Sequence, residues 1–201
     1  MRIIAGEARG RRILSVPKSM PVRPISARIR QSVFDIIRPR LPGARFLDLF
    51  AGTGAVGLEA LSRGAERVVF VDGDRRCVEV IKKNLERAEW SSRGQTFHAN
   101  LLQPLTWIGY RSRLDAFDLI FMGPPYKDEE KRPLQLTETV LGHVAAAKLL
   151  QPDGWLIAQH HKKEEPKAPE GFEGFRQSRY GDTRVSFFRW AGRHRSELSS
   201  Q

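Results

Sequence analysis

Two short runs of this chain carry residue types that could do chemistry together. The first is Phe46-Leu-Asp-Leu-Phe-Ala-Gly-Thr-Gly-Ala-Val-Gly57, where an apolar stretch enters a GxGxxG spacing. Gly52, Gly54 and Gly57 would let the backbone approach a ligand where a strand turns into a helix, and Phe50 and Thr53 fall in the same loop. Asp72, twenty residues beyond Gly52, is placed to accept hydrogen bonds from ribose hydroxyls, with Asp74 either sharing that work or capping the next helix. Asp48 narrows the ligand further. A carboxylate beside the glycine loop repels a pyrophosphate but suits an ammonium group, which S-adenosylmethionine carries along with its sulfonium charge. Asn100, just past a third apolar run, is either a polar contact to adenine or an ordinary loop asparagine.

The second run is Gly123-Pro124-Pro125-Tyr126, directly after Phe117-Asp-Leu-Ile-Phe-Met. Successive prolines fix the backbone and leave carbonyls free to face a substrate N–H, and the aromatic can stack on a planar base. A stiff turn with a packing tyrosine is the plainer reading of the same residues. His98, His143, His160 and His161 have neither metal spacing nor a nucleophile partner, so they read as structural. Cys77 need not be reactive.

Elements that could position these runs follow from the hydrophobic periods. Short apolar runs at 45–50, 67–72, 96–99, 117–122 and 155–159 alternate with helical patterns at 56–63, 75–89 and 134–150, the sign of βαβ units and a mostly parallel sheet. Residues 101–114 show no clear period. A Gly-Asp turn between two β-prone runs after Pro166 predicts an antiparallel hairpin on the sheet edge. Before the sheet, Ser26 reads as an N-cap for a helix over 27–37 whose apolar face holds Ile29, Val33, Phe34, Ile36 and Ile37, with Arg28 and Arg30 off it.

The chain has 201 residues and a net charge of +11, of which nine units lie in residues 1–45. The expected division is a basic arm and helix over 1–44, a catalytic domain over 45–191 and a polar tail over 192–201. An arm so charged is either a solvated tail or a surface that meets polyphosphate. Its candidates for phosphate contact are Arg9, Arg11, Arg12, Arg23, Arg28 and Arg30. A single cysteine excludes an internal disulfide framework, and no apolar stretch approaches membrane-spanning length. The expectation is a cytoplasmic monomer without metal.

Taken together these motifs resemble the class I methyltransferases that modify exocyclic amines, and more closely the RsmD family. The resemblance rests on Arg2-Ile-Ile-Ala-Gly-Glu-Ala-Arg-Gly-Arg, Arg23-Pro24 followed by Arg28-Ile-Arg, Asp48-Leu-Phe-Ala-Gly-Thr-Gly, Leu58-Glu-Ala-Leu-Ser-Arg-Gly-Ala and Tyr180-Gly-Asp-Thr. It implies a Rossmann-like, mostly parallel seven-stranded sheet with a C-terminal antiparallel hairpin. It also implies transfer of a methyl group from S-adenosylmethionine to N2 of a guanine in 16S ribosomal RNA, with the small ribosomal subunit or its assembly intermediate as partner. The chain departs from the family at Gly123, where an acidic or amide side chain normally orients the target amine. That loss is worth about 2 to 4 kcal/mol in the transition state, so Gly123→Asp is expected to raise transfer at least about tenfold. An RNA-binding assembly factor with little turnover, and an adenine-N6 methyltransferase, stand as alternatives.

Overall fold

The computed structural model describes residues 1–16, 25–128, 130 and 132–192. Its helices are α1 (Ala27–Ile37), α2 (Ala55–Ser62), α3 (Arg75–Ala88), α4 (Trp107–Ser112) and α5 (Thr137–Ala146). The strands are β1 (Arg45–Leu49), β2 (Arg67–Asp72), β3 (Gly94–His98), β4 (Phe117–Met122), β5 (Leu150–His161), β6 (Phe172–Tyr180) and β7 (Thr183–Trp190). They form one sheet in the order β3-β2-β1-β4-β5-β7-β6, parallel except for β7, which runs antiparallel between β5 and β6.

This is the doubly wound α/β sheet that the apolar runs imply. Strand order reverses between β1 and β4, and an open sheet splits at such a point to receive a ligand beyond its carboxyl ends. The glycine loop follows β1 and Gly123-Pro-Pro-Tyr126 follows β4, so the topology brings both chemical runs to the same edge. Two core clusters cover the faces of the sheet. One is built from α1, α2, α3 and the N-terminal segment, the other mainly from α4 and α5. Gly57 is fixed by this packing, since a Cβ there would sit 2.2 Å from the Phe70 ring of β2.

The first sixteen residues fold back on themselves, with Arg2 bridged to Arg12 and Ile3, Ala8 and Ile13 buried in the same cluster as Phe34 and Phe46. Glu59 of α2, wholly buried, accepts from the backbone N–H of Ile4 at 2.8 Å and Ala5 at 3.0 Å. At Gly6 (φ +84°) a Cβ would fall 1.8 Å from the Ser62 carbonyl oxygen. The basic segment thus shares its core with the sheet.

Helix α1 begins at the expected cap, where the Ser26 side chain accepts from Ile29 N–H. Arg30 departs from the expectation. It is only 1 % exposed, donates to the Arg2 carbonyl at 2.5 Å and lies 3.5 Å from Glu59, so it points inward. The cause is helical spacing: Arg30 is three, four and seven residues before Val33, Phe34 and Ile37, and therefore shares their face. β5 is longer and α5 shorter than expected. Lys148 takes a positive φ of 52° and ends the helical run before Leu150. Among the described residues no helix is long and apolar enough to cross a membrane, and no group of three or more His, Cys, Asp or Glu could hold a metal.

Candidate active site

The glycine loop is held from beneath by two carboxylates. Asp48 is 1 % exposed, and its Oδ2 accepts from Gly57 N–H at 2.9 Å. Burial pushes its carboxyl up to about 7, against the opposing Gly57 hydrogen bond and with help from the nearby Asp72 charge. Asp72, at the end of β2, accepts from Gly52 N–H at 2.7 Å and Asp74 N–H at 2.8 Å. Its carboxyl is likewise raised, chiefly by burial. Two backbone donors of this loop and helix start that could meet a diphosphate, Gly52 and Gly57 N–H, are therefore already taken by acids of the protein itself. The acids leave two desolvated carboxyl groups near the carboxyl ends of β1 and β2, with Asp48 holding its proton up to about 7, a setting that suits a cation or hydroxyls and not an anion.

The other members of this half sit around them. Phe50 is half-buried and takes φ 58°, a left-handed conformation costly for a residue with a side chain, and Gly52 and Gly54 follow at 56° and 78°. Thr53 is buried, and its carbonyl accepts from Asn84 Nδ2 at 3.3 Å. Asn84 also exchanges hydrogen bonds with the backbone of Leu14, so one side chain of α3 ties the N-terminal segment to the loop. Asp74 caps α3 and pairs with Arg76, the second of its two readings. Asn100, an exposed residue, closes a turn by accepting from Leu102 N–H at 3.0 Å. Cys77 is buried, and its thiol is pushed up to about 12, mainly by desolvation, so it is no nucleophile at neutral pH.

The second half is more open. Gly123 N–H reaches the Leu49 carbonyl at 3.4 Å, joining the two loops at their roots. Pro124 is buried, Pro125 exposed, and Tyr126 half-buried. The Tyr126 hydroxyl receives Gln159 Nε2 at 2.9 Å and donates to Thr183 at 3.4 Å, with its ring edge-on to His161. A cavity of about 390 Å³ opens there, walled by Tyr126, His161, Lys127, Lys162 and Gln135, within the range of small-ligand pockets.

Of the expected phosphate contacts, Arg9, Arg11, Arg12 and Arg28 are exposed. Arg23 lies outside the described residues. Arg30 is withdrawn from that set, since it is buried against Glu59. Glu59, Asn84 and Gln159 were not visible as site residues in the sequence. Asn84 left a trace there, as a polar residue on the face of α3 that holds Ile81, Leu85 and Ala88, and Glu59 left one as the acid inside the Leu58-Glu-Ala-Leu run.

Residues 1–189 match the family described as conserved hypothetical protein 95. YlbH of Bacillus subtilis is 33 % identical over 96 % of this chain and 100 % of its own length. The ribosomal RNA small subunit methyltransferase D of Escherichia coli is 35 % identical over 78 % of this chain and 69 % of its own. Among solved structures, the Escherichia coli protein yhhF superposes with a TM-score of 0.76 at 25 % identity, covering 94 % of this chain and 97 % of that one.

Proposed function

The chain belongs to the conserved hypothetical protein 95 family, the RsmD family, and from that membership and the two acids under its glycine loop we propose that it methylates ribosomal RNA with S-adenosylmethionine as donor. The atom proposed is N2 of a guanine in 16S RNA. The observation that carries the cofactor is the occupation of the Gly52 and Gly57 donors by Asp72 and Asp48, which disfavours a diphosphate and favours a cationic amino-acid ligand. Asp48 would face its ammonium group and Asp72 its ribose hydroxyls, with Phe50, Gly52, Thr53, Gly54 and Asn100 lining the same edge.

When bound, S-adenosylmethionine supplies a methyl group on a sulfonium, a leaving group good enough that proximity and orientation account for most of the catalysis. The chain's own part is to present the amine. The Pro124 carbonyl takes one N–H of the target base, and Tyr126 stacks on its face once the base is unpaired or flipped. Gly123 leaves room beside them: a Cβ there would meet only the Phe121 ring, at 3.4 Å, so an aspartate fits without strain.

Residues 1–44 would hold RNA and residues 45–191 the cofactor, in a monomer working in the cytoplasm. Arg9, Arg11 and Arg12 precede Leu14, which Asn84 holds beside the Thr53 carbonyl, so a phosphate-binding stretch leads toward the cofactor loop. Small subunits from a strain lacking the activity, incubated with this chain and digested to nucleosides, test the proposal. N2-methylguanosine in the 16S fraction is expected. N6-methyladenosine would make it an adenine enzyme, and cofactor and RNA binding without product would make it an assembly factor.

A further inference from the structure

Gln159 stands beside the side chain that position 123 lacks. In the parallel pairing of β4 with β5, Met122 lies opposite Ala158, so Gly123 and Gln159 are the next positions along adjacent strands. Phe121 and Ile157, two residues earlier on each, both belong to the core cluster on the α1 to α3 side. Side chains two apart share a face, so a side chain at 123 and that of Gln159 leave the sheet in the same direction.

The Gln159 carboxamide is only half used. Its Nε2 donates to the Tyr126 hydroxyl, and that hydroxyl gives its own proton to Thr183. Tyr126 must then accept from Gln159, which fixes the amide with Oε1 turned away from the phenol. Gln159 Oε1 is buried and has no hydrogen-bond partner. A buried acceptor left empty is costly, and the protein offers no donor to it among the described residues.

We propose that Gln159 Oε1 accepts a hydrogen bond from the target amine, in the role that an acidic or amide residue at position 123 fills in the family; this rests on the methyl-transfer reading above. The base enters as Tyr126 turns outward to stack on it and gives up its bond to Gln159 Nε2, and the released carboxamide turns Oε1 to the amine. The N2 lone pair then forms the new N–C bond, the C–S pair stays with sulfur, and one N2 proton leaves to water. Positive charge grows on N2 along the way, so the bond to Oε1 is stronger in the transition state than before it.

Binding tests this without turnover. The wild-type chain first maps the methylated guanine. Short RNAs carrying guanosine or inosine at that position, which differ only in the 2-amino group, are then titrated against cofactor-free protein. Wild type should favour guanosine by about tenfold; Gln159→Leu should lose the preference, and Gln159→Glu, still an acceptor, should keep it. Tyr126→Phe removes the hydroxyl but not Oε1 and should keep it too. In turnover, Gln159→Leu should lower kcat roughly thirtyfold with KM for S-adenosylmethionine within about twofold, and adding Gly123→Asp should return at least about tenfold. Gly123→Asp alone then gains less than the tenfold that an empty site implies. Equal affinity of wild type for the two RNAs overturns the proposal, as does equal loss of preference in the Leu and Glu variants. Loss of preference in Tyr126→Phe assigns Gln159 to holding the tyrosine and overturns it as well. A wild type that methylates no guanine fails the functional reading itself, and the proposal with it.

Discussion

The two loops that meet at the switch point are built in opposite ways. The loop after β1 is over-determined: Asp48, Asp72 and Asn84 each bind its backbone, and it holds Phe50 in a left-handed conformation. The loop after β4 has an empty side at Gly123 and an exposed Pro125. Its aromatic residue is anchored by Gln159 and Thr183, which lie 33 and 57 residues further along the chain. The first loop is thus organised by the β1 to α3 stretch that carries it, while the second borrows its order from β5 and from β7 of the C-terminal hairpin. Changes in β5 or β7 should therefore disturb the second loop and leave the first in place.

The largest expected effect tests the rigidity of the first loop. Gly57→Ala drives a methyl group against the Phe70 ring, 2.2 Å from its Cβ, and no flexible chain end is there to yield. The helix must lift from β2, at about 3 kcal/mol of stability, read as a fall in Tm and in the denaturation midpoint. An unchanged midpoint would show a loop far softer than its hydrogen bonds imply.

Asp72→Asn comes next. One amide oxygen replaces two carboxylate oxygens, so either Gly52 or Asp74 N–H faces an NH₂ group. The protein should still fold, with S-adenosylmethionine affinity reduced roughly thirtyfold by calorimetry, equivalent to about 2 kcal/mol. A loss below about threefold would mean that the loop keeps its shape without this carboxylate and that the ribose is held elsewhere.

How far these features were legible in the sequence divides along the same line. α1 and β2 have the bounds that period and capping predict, because each is set by residues next to one another. The spacing singled out Asp72 for ribose hydroxyls, but the bonds its carboxylate makes to Gly52 and Asp74 N–H depend on the loop's conformation and left no mark in the sequence. Arg30 was read as exterior because charge outweighed spacing, although its helical position matched Val33, Phe34 and Ile37; its partner Glu59 lies on another helix. Gln159 gave no signal at all, since its importance comes from strand register and from Tyr126, neither of which is local.

Asp48 offers a milder perturbation, through pH alone. Its folded carboxyl is raised from 3.8 to about 7, so between these values the native state holds a proton that the unfolded chain has released. The ligand-free protein should therefore lose stability as pH rises from about 4 to about 7, and level off above. A cationic ligand needs the ionised form. Affinity for S-adenosylmethionine should thus rise about tenfold per pH unit below about 7 and flatten above, with a proton released on binding. Asp48→Asn should abolish that slope. A slope that survives in the variant would move the ammonium group to another anion.

The smallest effect belongs to the open loop. Pro125 is exposed and donates nothing, so Pro125→Ala should cost only about 0.5 kcal/mol, chiefly by giving the unfolded chain more freedom. Cofactor affinity should stay within about twofold, because the carboxylate-bound loop after β1 does not depend on this residue. If stiffness of the loop serves to present the Pro124 carbonyl and Tyr126 to the base, the change should appear in kcat with RNA and nowhere else. A fall in cofactor affinity would show the two loops coupled through their paired strands and the bond from Gly123 N–H to the Leu49 carbonyl.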